Sequence, residues 1–95
     1  MSVYFMASLR INDEKEYQLY LDRADDIFSR YNGTYLAVDK QATVLEGEWD
    51  YSRAVLIKFN TRQDFDAWYS SAEYQEILRY RLSAAECDTI LIEGK

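Results

Sequence analysis

Apolar residues in this chain recur at every second position, then at every third and fourth, then at every second again, and the cycle runs twice. A period of two marks one face of a strand, and a period near 3.6 marks a stripe on a helix. Residues 3–11 alternate: Val3, Phe5, Ala7, Leu9 and Ile11 fall on one face, Tyr4, Met6, Ser8 and Arg10 on the other. Asp13 and Glu16 then have the spacing of a capping box. Tyr17, Tyr20, Leu21, Ala24, Ile27, Phe28 and Tyr31 follow as an amphipathic stripe of roughly five turns. Asn32-Gly33 is predicted to end it, with glycine in the left-handed C-cap.

Residues 34–38 read as a second strand, which residues 42–46 either extend or follow as a short extra strand. Residues 46–52 read as a loop, and 53–59 as a strand of Val, Leu, Ile and Phe. Thr61 with Asp64 predicts a cap for a short helix bearing Phe65, Trp68 and Tyr69. Ser70-Ser71 interrupt it, because serine competes for backbone hydrogen bonds and favours caps, and Ser70 with Glu73 has capping-box spacing. The next helix carries the stripe Tyr74, Ile77, Leu78, Arg81, Leu82 and Ala85, and residues 88–93 close the pattern as a strand.

The resulting order is βαββαβ, an α+β ferredoxin-like sandwich: a four-stranded, mainly antiparallel sheet with helices on one face. Tyr4, Met6, Ala54, Leu56 and Leu91 are assigned to the other face, mixed with Ser8, Arg10 and Lys58. That is too apolar for a fully solvated surface, so a second subunit packed sheet to sheet, as a homodimer, is expected.

A length of 95 residues predicts one domain spanning 1–95. The net charge of −6 argues against nucleic acid or an anionic membrane as partner, since both select basic stripes. No segment approaches the ~20 apolar residues of a membrane span, and the first strand is too short and wrongly flanked for a signal peptide. A cytoplasmic protein is expected. The single cysteine, Cys87, excludes an internal disulfide and is expected to be a buried thiol.

The chain has no histidine. Nucleophilic machinery that needs imidazole is therefore excluded, as are zinc and haem sites that depend on it. No metal and no cofactor is expected. Fifteen aromatic residues, nine of them Tyr, supply flat apolar bodies with polar tips, which suit pockets as well as cores.

Arg81 is the anomaly of the last helix, a guanidinium where the stripe asks for a hydrophobe. It pairs with an internal acid such as Glu46, Glu48 or Glu93, snorkels outward along its stem, or meets a ligand anion, for which its planar fork is suited. Trp68 and Tyr69 are adjacent and cannot be equally deep, so one is core and the other is expected at a rim. Trp49 covers a pocket mouth or packs across the dimer. Glu46 and Glu48 are too few to hold a metal alone.

The string Glu46-Gly47-Glu48-Trp49, then Arg53 and a strand ending in Phe59, then Trp68-Tyr69-Ser70-Ser71-Ala72-Glu73-Tyr74-Gln75, Arg81 and Ile92-Glu93-Gly94 resembles the domain-of-unknown-function family numbered 1330. The resemblance covers essentially the whole chain. It implies a ferredoxin-like subunit of the dimeric α+β barrel superfamily, which includes cofactor-independent quinol-type monooxygenases, muconolactone isomerases and chlorite-dismutase relatives. Glu14, Asn60 and the 50–52 segment stand where the family has prolines, and Lys58 stands where it has an acid, so no role of that acid carries over. The residues that match and are expected to line a site are Arg81, Arg53, Trp68, Tyr69, Tyr74 and Trp49. The function expected is binding of a small planar or carboxylate-bearing metabolite between sheet and helices, with cofactor-independent isomerase-like or monooxygenase-like chemistry as an extension. The alternative is a non-catalytic dimeric interaction module.

Overall fold

The computed structural model describes residues 1–95. Four strands form one antiparallel sheet in the order β2-β3-β1-β4. They are β1 (Val3–Ile11), β2 (Gly33–Asp39), β3 (Arg53–Phe59) and β4 (Ala85–Glu93). Three helices, α1 (Glu14–Arg30), α2 (Arg62–Tyr69) and α3 (Ala72–Ala84), complete a ferredoxin-like fold. The two most apolar strands, β1 and β3, pair at its centre with Val3 opposite Phe59 and Leu9 opposite Arg53. Val3, Phe5, Ala7 and Leu9 are buried beneath the helices, as the alternation predicts.

Asp13 caps α1 by accepting a hydrogen bond from the Glu16 N–H at 3.1 Å. The other end of α1 differs from expectation. The left-handed residue is Asn32, with φ 61°, and Gly33 already begins β2. Asparagine tolerates that conformation, while Gly33 answers a steric need. A Cβ there would lie 3.0 Å from Phe59 Cε1 and 3.1 Å from the Phe28 carbonyl oxygen.

Residues 42–46 form no strand. They belong to a loop from Lys40 to Ser52 on which Leu45 is 89% exposed. Five residues with neither a pairing partner nor a core to cover gain nothing from extension, whatever their β propensity. The return of the loop is fastened to β1: the Ser52 N–H donates to the Leu9 carbonyl at 2.8 Å, and Arg10 pairs with Asp50 at 2.9 Å.

The two serines divide their labour. Ser70 Oγ donates to the Asp66 carbonyl at the end of α2. Ser71, not Ser70, caps α3, accepting from the Tyr74 N–H at 3.1 Å. The stripe of α3 also ends sooner than its sequence suggests. Leu82 is 61% exposed, Ala84 is buried in its stead, and Ala85 belongs to β4, which starts three residues before the predicted 88. The helix passes into the strand without a loop, and the Ala84 carbonyl accepts from the N–H groups of Asn12 and Asp13.

Facing residues of an antiparallel pair share a side of the sheet. Leu91 is opposite Phe5 and therefore lies on the helix side, contrary to its expected place, where it packs against the core. Ile90 and Ile92, opposite Met6 and Tyr4, take the uncovered face. A β-bulge at Leu36 lets Tyr35 and Val38, three apart, both pair on the helix side with Ile57 and Val55. No helix is long and apolar enough to cross a membrane.

Candidate functional site

A cavity lies between the sheet and α1. Leu9, Val55 and Ile57 are among the apolar residues lining it; Tyr17 and Tyr20 come from α1, Tyr35 from β2, Arg53 from the start of β3 and Arg81 from the last turn of α3. The cavity volume is only about 10 Å³. As it stands it admits about one water.

Arg81 dominates this space electrostatically. It is 3% exposed, the one charged residue among those buried. Its Nε and Nη1 have no hydrogen-bond partner. Arg10, Arg23, Arg30 and Arg62 all meet carboxylates, whereas Arg81 meets none. Pairing with Glu46, Glu48 or Glu93 does not occur, and near-complete burial rules out snorkelling. The guanidinium carbon instead sits 5.9 Å from the centroid of the Tyr20 ring, within cation–π range. Burial pulls the Arg81 pKa down, while Tyr74, Tyr20 and Cys87 pull it up once ionised in alkali; the net direction is upward, and the group is a cation at neutral pH. Arg53 contributes a second guanidinium, 5.5 Å from the Tyr17 ring centroid, with its Nε also buried and unpartnered.

The surrounding phenols stay neutral. Burial raises the pKa of Tyr17, Tyr20, Tyr35 and Tyr74 above the ordinary 10.0, and for Tyr17 the nearby Arg53 and Arg81 offset only part of this. At neutral pH the cavity therefore holds two cations and no anion. A buried charge without a counter-charge is costly, so the arrangement is suited to a ligand that brings negative charge with it.

The structure brings only Arg53 and Arg81 of the expected site residues onto the cavity. Trp68 is fully buried at the centre of an aromatic cluster, 4.0 Å between ring centroids from Tyr74 and 4.8 Å from Phe28. Tyr74, also fully buried, stands behind the cavity, its hydroxyl 2.9 Å from that of Tyr20. Tyr69 is half-buried and stacks on Phe65. Trp49 is elsewhere, packed edge-on against Tyr51 over a surface hollow that it shares with Ala42, Thr43, Val44, Leu45 and Glu46. Cys87 is half-buried rather than fully buried. The lining phenols Tyr17, Tyr20 and Tyr35 are the residues sequence reasoning missed. The signal was present, since Tyr at stripe positions brings a hydroxyl to a buried face, but periodicity alone cannot tell such a position from core. No group of three His, Cys, Asp or Glu side chains is placed to hold a metal.

Solved structures share this fold at low sequence identity. A protein of unknown function from Rhodopseudomonas palustris is 15% identical, with 99% of this chain and 82% of that one covered at a TM-score of 0.84. SnoaB, a cofactor-independent oxygenase from Streptomyces nogalater, is 13% identical, with 99% and 93% covered at a TM-score of 0.71. A dimeric ferredoxin-like protein of unknown function from Thermobifida fusca is 14% identical, with 99% and 92% covered at a TM-score of 0.71. No curated protein matches the chain. Residues 2–95 match the family described as domain of unknown function (DUF1330), and the chain belongs to that family.

Proposed function

We propose that this chain binds a small planar or carboxylate-bearing metabolite in the cavity between sheet and helices. One observation carries the reading: Arg81 is buried with two unpartnered nitrogens and no carboxylate to meet them. A ligand carboxylate at that point would satisfy one of them in a fork shared with Nη2. The rings of Tyr17, Tyr20 and Tyr35 supply flat apolar walls. The closed cavity is smaller than such a ligand, so binding requires side chains at its border to swing aside, a common change on complex formation. The lining contains no carboxylate and no thiol, and its phenols are shifted away from acting as bases. Binding is accordingly better supported than turnover. Cofactor-independent chemistry of the kind named for SnoaB would need the ligand to bring its own acidic proton or reactive carbon.

The binding unit is a homodimer. Ile90, Met6, Leu56 and Ala37 form an apolar row across all four strands of the uncovered face, between the polar rows Asp88-Ser8-Ala54-Asp39 and Ile92-Tyr4-Lys58-Thr34, the second with apolar residues at one end. A second copy related by a two-fold axis would bury that row against itself.

Native mass spectrometry of gently purified protein tests both parts. The expected result is a dimer carrying a few hundred extra daltons that are lost on denaturation and absent from Arg81→Met. An adduct that persists in Arg81→Met overturns the role of Arg81, and a monomer in dilute solution overturns the dimer.

A further inference from the structure

A second hollow opens to solvent beside the cavity, between α1 and the turn after β2. Its walls include Glu14, Tyr17 and Gln18 of α1, Lys40, and Ser52 and Arg53 at the entry to β3. Its volume is about 110 Å³, against about 10 Å³ for the inner cavity. Tyr17 and Arg53 border both spaces, so the two are separated by little more than these side chains. Their linings differ in character. The inner one is apolar apart from Arg53 and Arg81, while the outer one is mostly polar.

We propose that the cavity and this outer hollow are two halves of one site, and that the site takes an elongated dicarboxylate. This rests on the binding reading given above and adds the class of ligand. One carboxylate meets Arg81 at the closed end. The body of the ligand lies against Leu9, Val55 and Ile57 and passes Tyr17. The second carboxylate emerges between Arg53 and Lys40, with Gln18 and Ser52 beside it. Lys40 takes part in no ion pair, and Arg53 and Arg81 likewise have no carboxylate partner. Three cations thus line the two adjoining spaces, with Glu14 as the sole acid among their walls, in a chain whose net charge is −6. Acids outnumber bases over the rest of the molecule, so cations left unmatched along these walls mark where negative charge is to be received. A monocarboxylate would answer Arg81 alone, whereas a diacid answers both ends.

Calorimetric titration with straight-chain dicarboxylates from butanedioate to octanedioate, each beside the monocarboxylate of equal length, tests this. At one length the diacid should bind at least roughly tenfold more tightly than its monoacid, a difference of 1.4 kcal/mol. Lys40→Gln should reduce that ratio at least threefold. Lys40 is exposed at a turn, so the variant is expected to fold. Equal affinities at every length, or a ratio unaffected by Lys40→Gln, would overturn the two-part site while monoacid binding that depends on Arg81 left the simpler reading intact. If no acid of either series binds, both fall.

Discussion

The hydroxyls of Tyr20 and Tyr74 lie 2.9 Å apart in the buried seam between α1 and α3. One donates and the other accepts, so each phenol satisfies a polar atom that burial would otherwise strand. Tyr20→Phe should leave the Tyr74 hydroxyl without this partner and cost about 1–3 kcal/mol. The double variant Tyr20→Phe/Tyr74→Phe should cost less than the sum of the single changes. Urea unfolding of the four proteins measures the coupling, and simple additivity would show that the bond contributes nothing.

Arg81→Leu places a hydrophobe where the stripe of α3 asks for one and strands no acid, because Arg81 has no carboxylate partner. The variant should be more stable than the parent, by about 1–4 kcal/mol, and should lose carboxylate binding. Thermal melts and ligand titration read the two effects separately. A loss of several kcal/mol would point to a buried partner that the geometry does not contain.

Four phenols, three of them buried and Tyr35 half-buried, set the response to alkali. Their folded-state pKa values are raised by burial above the ordinary 10.0, so above pH ~10 the unfolded chain releases protons that the native chain retains. Stability from these groups is fully present below pH ~10 and declines as pH rises beyond it. Circular dichroism at increasing pH should show cooperative alkaline unfolding, shifted upward in Tyr20→Phe/Tyr74→Phe once its lower starting stability is subtracted.

Gly33→Ala should destabilise the fold by about 1–3 kcal/mol. The added Cβ would meet the Phe59 ring at 3.0 Å and the Phe28 carbonyl oxygen at 3.1 Å, and the carbonyl belongs to backbone that cannot swing aside. Gly47→Ala tests a different cause, since it has φ +83° and open space around it. Its cost should be smaller and purely conformational. Denaturant midpoints compare the two.

On the uncovered face, Met6→Glu or Ile90→Lys should yield a folded monomer, because either puts a charge into the apolar row without touching the helix-side core. Light scattering gives the mass and circular dichroism the fold. A dimer that survives both changes would place the interface elsewhere.

Much of this architecture was legible from periodicity, since strand and helix patterns report which atoms can face a common core. The β1 alternation, the Tyr17-to-Tyr31 stripe and the Asp13 and Thr61 caps all depend on neighbours within four residues. Position 81 stood out by the same rule, as a charge on an apolar stripe. Long-range partners decided the rest. Residues 42–46 had strand-forming composition but no strand to pair with. Leu91 took the helix face and Ile90 the uncovered one because the register of β4 is set by β1. Trp68 and Tyr74 sank into the aromatic cluster, and Tyr17, Tyr20 and Tyr35, from two distant segments, came to wall a space around Arg53 and Arg81. The sequence by itself determined the order of elements and the oddity of one arginine, because both follow from local chemistry. Only the tertiary structure decided that this arginine has no acid to meet, because a missing partner is a property of everything packed around a residue and of nothing beside it in the chain.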